Sequence, residues 1–341
     1  MRFPTLIVFS AASAAAAYKV VVTDRCVTGQ PLINSSHILG YPNVLNPAWL
    51  PLPDGSGGLF VRVSTPTSQP NFIAFVTSLD GVSFSPVVNA SILLDGPPDT
   101  PAATAMDPRA IHRKSTGDSF VTYQLYNRVA GQPKALRQTV ISSTRTPQLG
   151  WSWRRMNQTM FPTMPDCGTA LWFPHDTAEK AGAAFAVATL RCQLRGGNLS
   201  LVSSTDGLRT WREERMLLTT RPAHRDNATL SAGPAPVRLS DGNWLLLYNV
   251  DNKWPVDHPR PLPPYGRCAL GWAILEAGSL KVIARAEEPL VSAALPWEVH
   301  GMTAKVVYTD GIREEHEPDT FTVYAGGADS VVEAFRIRVL V

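Results

Sequence analysis

Short apolar runs recur along the chain, at Leu59 to Val63, Phe72 to Val76, Phe120 to Tyr126, Ala184 to Leu190, Trp244 to Val250, Lys305 to Tyr308 and Phe321 to Tyr324. They are rich in Val, Phe, Tyr and Leu and bounded by turn residues, so each is expected to form a β-strand. Asp-Gly pairs, which tolerate the positive φ of tight hairpins, accompany them at Asp54-Gly55, Asp80-Gly81, Asp206-Gly207, Asp241-Gly242 and Asp310-Gly311. The pattern is one hairpin after another. Scattered through it are 29 Pro and 24 Gly, which leave few stretches for a long helix and exclude a helical bundle.

Two units alternate. One is a turn followed by a strand ending in an aromatic residue, as in Asp241 to Tyr248. The other is a strand, a serine, an Asp-Gly pair and an aromatic residue, seen in Phe75 to Phe84 and again in Leu201 to Trp211, with a degenerate copy at Ser142-Ser143 with Trp151 and Trp153. Loose repetition of multi-stranded units points to an all-β propeller. Five blades of about 65 residues account for the length, with six as the alternative. No Pro-rich or charged linker interrupts the pattern, so residues 18–341 are expected to form a single five-bladed β-propeller.

Residues 1–17 are different. Arg2, the apolar stretch Phe3 to Phe9 and a small-residue run ending at Ala17 have the layout of a secretory signal peptide, so a secreted protein is expected. Five Asn-x-Ser/Thr sequons, at Asn34, Asn89, Asn157, Asn198 and Asn227, suit a glycoprotein. Cys26, Cys167, Cys192 and Cys268 allow up to two disulfides; three connectivities are open, of which Cys167 with Cys192 and Cys26 with Cys268 is favoured. With 31 basic and 28 acidic residues, a net charge of +3 and no dense Lys/Arg run, the phosphate-tracking face of a nucleic-acid binder is missing. No later segment approaches the ~20 apolar residues of a membrane span, so neither nucleic acid nor membrane is an expected partner. The seven His are dispersed without metal-ligand spacing, and no phosphate-cradling loop or dinucleotide fingerprint is present, so neither metal nor organic cofactor is expected.

A propeller binds its ligands at the mouth of the central channel, so polar residues at the ends of innermost strands are the candidates. Met106-Asp107-Pro108-Arg109 opens a unit that continues to Tyr123. Pro fixes the backbone after the Asp, and an Arg two positions on lies on the same side of an extended strand. A second group is Trp297 to Gly301 with Tyr324 to Asp329. Carboxylates on opposite sides of one pocket, with aromatic platforms such as Trp49, Trp172, Trp254 and Trp297, are the parts needed to cleave a glycosidic bond.

Taken in order, these residues resemble glycoside hydrolase family 130, five-bladed propellers that include mannoside phosphorylases and related β-mannosidases. The resemblance runs from Leu45-Asn46-Pro47-Ala48 through Arg62, Ser78 to Gly81, Met106 to Arg109 with Tyr123 to Tyr126, Leu171 to Pro174 and Ser204 to Trp211. It continues through Ala232 to Pro236, Trp244 to Tyr248, Tyr265, Trp297-Glu298 with Gly301, and Tyr324 to Asp329. It implies that Asp107 is a general acid acting with inversion at the anomeric carbon, and that Asn46, Arg62 and Asp329 hold the sugar in the −1 subsite. Asp80, Arg109, Tyr123, Asn249 and Tyr265 complete the expected substrate-binding set. Asp107 must be protonated to act, so a pKa above about 3.9 is expected. The base is expected to be Glu298, with Asp329 as the other candidate and Asp166 or His175 behind them.

The chain departs from the family where phosphorylases hold inorganic phosphate. Their cationic and amide side chains correspond here to Gly168, Thr169, Thr229 and Asn249, and the usual Glu before the catalytic Asp is Met106. Recognition of a dianion depends on charge-assisted hydrogen bonds. The expectation is therefore a secreted inverting glycosidase that acts on β-mannosides or related oligosaccharides, with water as nucleophile. The alternatives are a non-catalytic carbohydrate-binding propeller and a phosphorylase with an altered phosphate site. An oligosaccharide or glycan is the partner in each case.

Overall fold

The computed structural model describes residues 18–38, 40–65, 71–84, 104–127, 136–147, 152–162, 166–176, 182–191, 197–221, 224, 226, 229–251 and 267–341. The expected leader at residues 1–17, and with it Trp151, Cys192, Trp254 and Tyr265, lies outside them. The first strand, β1 (Lys19–Asp24), precedes a sheet of β2 (Asn43–Pro51), β3 (Gly57–Ser64) and β4 (Asn71–Ser78). A second sheet holds β5 (Ala105–Arg113), β6 (Asp118–Asn127), β7 (Leu136–Thr144) and β8 (Arg154–Thr159), and a third β9 (Asp166–Trp172), β10 (Ala184–Leu190), β11 (Asn198–Ser204) and β12 (Arg212–Leu218). The fourth comprises β13 (Thr229–Ala232), β14 (Val237–Arg238), β15 (Trp244–Asp251), β16 (Cys268–Leu275) and β17 (Val282–Arg285). A single helical turn, α1 (Pro296–Val299), leads into β18 (Val307–Glu314), β19 (Thr320–Gly327) and β20 (Val331–Leu340).

These are the five blades of a β-propeller. Each sheet follows chain order, and β1 closes the last one by pairing with β20, from Lys19 opposite Leu340 to Asp24 opposite Arg336. The apolar side chains divide into five clusters, each joining one pair of neighbouring blades. Leu50, Phe60 and Ile73 meet Val121 and Leu125 between blades one and two, and Phe120 and Ile141 meet Leu171 and Ala186 between two and three. Val187 and Leu201 meet Leu230 and Leu246, and Leu247 and Ile274 meet Val323 and Phe335. The ring closes where Val44 and Leu59 meet Val332 and Ala334, with Trp49 stacked on Tyr324 at 5.3 Å between ring centroids.

The expected hairpin turns form, with one exception. Asp80 accepts hydrogen bonds from Ser78 Oγ (2.9 Å), the Val82 and Ser83 amides (2.8 and 2.7 Å) and Ser83 Oγ (2.8 Å). Asp206 does the same in the other copy of the repeat, with Ser204, Arg209 and Thr210. The strand-Ser-Asp-Gly unit is thus a self-satisfying turn, in which the carboxylate caps the amides that leave the strand. Asp310-Gly311 is not a turn: it lies inside β18 as a bulge. A side chain at Gly311 would meet the Pro47 carbonyl at 2.8 Å and the Trp49 amide at 2.9 Å, so blade one approaches too closely for any other residue. Lys305, expected in a strand, precedes β18 with φ 58°. The expected Cys26–Cys268 bridge does not form. Cys26 lies in the turn after β1 with its Sγ toward the Gln30 carbonyl (3.8 Å), whereas Cys268 opens β16 in blade four, and no disulfide joins them.

Ring closure is reinforced by charge. Arg25, immediately after β1, contacts the Glu298 carboxylate of α1 and lies 3.9 Å from Glu333 of β20. Both glutamates are fully buried. Glu298 also accepts the Ala294 and Leu295 amides (2.6 and 2.7 Å), and Trp297 Nε1 donates to Glu333 at 2.7 Å. Burial, and then the neighbouring Glu298 charge, push the Glu333 carboxyl up to about 8. A group that keeps its proton when folded but loses it near its ordinary value when unfolded makes stability fall as pH rises between the two. Urea unfolding between pH 5 and 8 is expected to show this loss, up to about 1.4 kcal/mol per pH unit from this group. Glu333→Gln should flatten that slope by one proton; an unchanged slope would place the proton elsewhere.

Candidate active site

The innermost strands carry an irregularity at one level of the channel. Two residues of β2, Asn46 and Pro47, stand opposite the single Val61, and two of β5, Asp107 and Pro108, stand opposite Tyr123. On β9, Cys167 and Gly168 share Thr189. Proline cannot donate to a ladder, so Asn-Pro and Asp-Pro inside a strand force a bulge. The preceding residues adopt the left-handed conformation, Asn46 at φ 51° and Asp107 at φ 53°. Asn and Asp are the non-glycine residues that bear it most readily.

Asn46, Asp107 and Cys167 all line a cavity of about 200 Å³ to which every blade contributes. Blade one adds Arg62, blade two Arg137, blade four Thr229, Ser231, Arg267 and Cys268, and blade five with its approach segment Thr303, Val306, Tyr308 and Asp329. Asp329 also has a positive φ, 55°. On the other side of the Arg109–Asp310 ion pair lies a second hollow of about 340 Å³, lined by Trp49, Ile111, Pro234 and Arg313 among others.

Asp107 is the best-placed carboxylate. Arg62 Nη1 donates to its Oδ1 at 2.9 Å, while Arg62 Nε is held by Asn71 Oδ1 at 2.8 Å. Burial pushes the Asp107 carboxyl up, but the guanidinium groups of Arg62, Arg137 and Arg109 outweigh it and bring the pKa below the ordinary value. This corrects the expectation of a raised pKa: the cations around Asp107 outweigh its burial. The buried acid that is raised is Asp310, to about 7, by burial against the incomplete relief of Arg109 and with the Asp107 charge nearby. Asn46 Nδ2 donates to Asp310 at 3.4 Å, and Ser231 Oγ and Tyr308 Oη share a hydrogen bond of 2.6 Å.

Of the residues proposed from sequence, Asn46, Arg62, Asp107 and Asp329 converge on the cavity. The others take different places. Arg109 runs beneath it, because the bulge at Asp107 breaks the strand alternation that would put both side chains on one side. Its guanidinium donates to the carbonyls of Ala232, Gly233 and Asp107 and pairs with Asp310 at 2.9 Å. Tyr123 is a core residue between blades one and two, and Asn249 is saturated by the Thr309 backbone at 2.9 and 2.8 Å. Asp80 is the turn carboxylate described above. Glu298 does not line the cavity: its oxygens serve Arg25 and the backbone ahead of α1. Asp166 is buried under the Thr139 amide (3.1 Å), with burial raising its carboxyl to about 6, and His175 packs edge-on against Phe185.

Sequence reasoning missed Arg137, Arg267 and Tyr308. Each is a lone polar residue in or beside an apolar run, and no spacing marks it; only ring closure brings the three together. Gly168, by contrast, has a clear reason. A Cβ there would lie 2.6 Å from the Arg109 guanidinium, and its φ is 123°.

Comparison with known proteins agrees with this geometry. Residues 68–340 match the profile of glycoside hydrolase family 130, described as beta-1,4-mannooligosaccharide phosphorylase. A 1,2-beta-oligomannan phosphorylase of Thermoanaerobacter sp. is 30% identical over 132 residues, 38% of this chain and 40% of that protein, so the matched stretch spans less than half of the relative. Among solved structures, a protein studied among family members that hydrolyse β-1,2 mannosidic linkages in Candida mannan superposes with a TM-score of 0.72 at 20% identity, covering 92% of both chains. The beta-1,2-mannobiose phosphorylase of Listeria innocua superposes with a TM-score of 0.66 at 17% identity, covering 88% of this chain and 91% of that one. These likenesses in structure establish the fold, and the profile match over most of the sequence establishes that the chain belongs to glycoside hydrolase family 130.

Proposed function

We propose that the protein is a glycoside phosphorylase that cleaves β-mannosidic bonds in oligosaccharides, with Asp107 as general acid and inorganic phosphate as nucleophile. One observation carries this reading: among the described residues, the cavity around Asp107 brings together three arginines, Arg62, Arg137 and Arg267, against two carboxylates, Asp107 and Asp329. The surplus is positive and suits a dianion rather than water. The family description and the relative's name support the same chemistry. Gly168, Thr169, Thr229 and Asn249 supply no cation, but the cations enter from other strands. Asn46 and Arg62 would hold the sugar beside Asp107, and Asp329 would bind its hydroxyls from the opposite blade.

Asp329 also favours a second reading, in which it activates water and the enzyme hydrolyses its substrate. Product analysis separates the two. Incubation of the full chain with β-linked manno-oligosaccharides is expected to give a sugar 1-phosphate, at a rate that rises with phosphate concentration. Free sugar formed at a rate indifferent to phosphate would support the hydrolase.

Asp107→Asn should lower kcat by roughly 10²-fold or more, since it removes the acid. Glu298→Gln should lower Tm while leaving kcat within about twofold, because the carboxylate belongs to ring closure. A loss of turnover in a folded Glu298→Gln protein would return Glu298 to the reaction.

A further inference from the structure

We infer that Asp310 is a positioning residue for the saccharide: it orients the Asn46 side chain from beneath the cavity, and does so only as a carboxylate. The inference rests on the reading of the cavity as a saccharide site, deepens it, and holds whether phosphate or water is the nucleophile. Asn46 is buried at the bulge of β2 and lines the cavity beside Asp107. Among the described residues its side chain has one hydrogen-bond partner, Asp310 Oδ2, at 3.4 Å across the ring. Asp310 Oδ1 faces Arg109 Nη2 at 2.9 Å. The carboxylate is itself held in place. It belongs to the extra residue of the β18 bulge, between Thr309 and Gly311, and Asn249 clamps the Thr309 amide and carbonyl at 2.8 and 2.9 Å. Each oxygen thus serves one donor, Asn46 of blade one or Arg109 of blade two, and an acid proton displaces one of them. Arg109 keeps its charge and its oxygen, so a proton on Oδ2 meets the Asn46 amide and releases it.

The groups around Asp310 set when this happens. Arg109 and, more weakly, Arg62 on β3 favour the carboxylate; burial and the Asp107 charge on β5 oppose it, and the carboxyl is raised to about 7. Tyr308, on the same strand, keeps its proton. On its other side Asp310 borders the second hollow, where His112 and Lys114 come from blade two and Arg313 and Glu314 from β18. Half-buried Ile312 lines that hollow as well, and the saccharide cavity does not include it. As pH rises through about 7, Asp310 loses its proton, the Asn46 amide is anchored and the saccharide binds more tightly. Binding near that pH therefore releases a proton.

Calorimetry on the full chain tests this with a β-linked mannobiose whose glycosidic oxygen is replaced by sulfur, which neither phosphate nor water cleaves and which does not titrate. Without phosphate, its affinity is expected to rise about three- to tenfold in one single-proton step between about pH 5.5 and 8.5, the weight of one hydrogen bond. Substitution of Asp310 itself would strand Arg109, so charge is brought beside it from the second hollow. Ile312→Lys should move the midpoint down and Ile312→Glu should move it up, each by about half a pH unit or more; a packing defect would not move the two in opposite directions. Asp166 and Glu333, raised to about 6 and about 8, titrate in the same range but line neither hollow. His112 does line the second one, and Asn46→Gly separates it from Asp310. That variant keeps the left-handed backbone, and should bind weakly and without the step. Affinity that is flat with pH, a midpoint unmoved in both folded 312 variants, or a step that survives in Asn46→Gly would overturn the inference and leave the saccharide site standing. Absence of binding at every pH would overturn the saccharide reading, and this inference with it.

Discussion

One buried guanidinium fixes the centre of the ring. Arg109 is 3% exposed, yet its donors reach the carbonyls of Ala232 and Gly233 in blade four, the Asp107 carbonyl of its own strand and the Asp310 carboxylate in blade five. A charge this deep is tolerable only when paired and hydrogen-bonded, and loss of either partner would strand the other. Three blades are therefore held to one side chain, and a fourth accommodates it: blade three must carry glycine at 168, where a Cβ would collide with the guanidinium. The floor of the cavity, the division of the channel and the missing side chain at Gly168 are consequences of the same constraint.

That constraint also separates two acids that begin alike. Asp107 and Asp310 are both buried at bulges of innermost strands. Asp107 receives Arg62 directly and the field of Arg137, which overcome burial and lower its pKa. Asp310 has only the shared Arg109 and lies near the Asp107 charge, so burial prevails and its carboxyl rises to about 7. Environments that push paired carboxylates apart are how one site assigns different roles to identical groups. Here the ionised member faces the cavity and the raised one pairs with Arg109.

Much of the fold was legible from the chain because blades are local. The run Ala184 to Leu190 is β10, and the Ser-Asp-Gly units form the turns their side chains can satisfy alone. Asp107 could be singled out because the proline after it fixes the backbone, and Asn46 only through the resemblance to the family. What could not be read was anything decided by distance between blades. Asp310-Gly311 has the composition of a hairpin turn, but contact with Pro47 and Trp49 makes it a bulge. Glu298 has the composition of a catalytic base, but Arg25, far away in sequence, takes it into the closing contact. Arg137 and Arg267 carry no local mark at all.

The three cavity residues with left-handed backbones, Asn46, Asp107 and Asp329, show what the five interfaces support. Each such conformation costs on the order of 1–3 kcal/mol and persists only when its surroundings fix it. Neighbouring elements do fix them. Asn46 is anchored to Asp310 across the ring and Asp107 to Arg62 from the next blade, while the Gly327 carbonyl accepts the Ser330 amide around Asp329. In a regular strand the side chains at 46 and 107 would alternate with their neighbours between the two faces of the blade. The bulges turn both toward one point at the channel mouth, where they meet Asp329, and the apolar packing between blades offsets the local strain. The chemistry of the site is therefore a property of the closed ring rather than of any one blade.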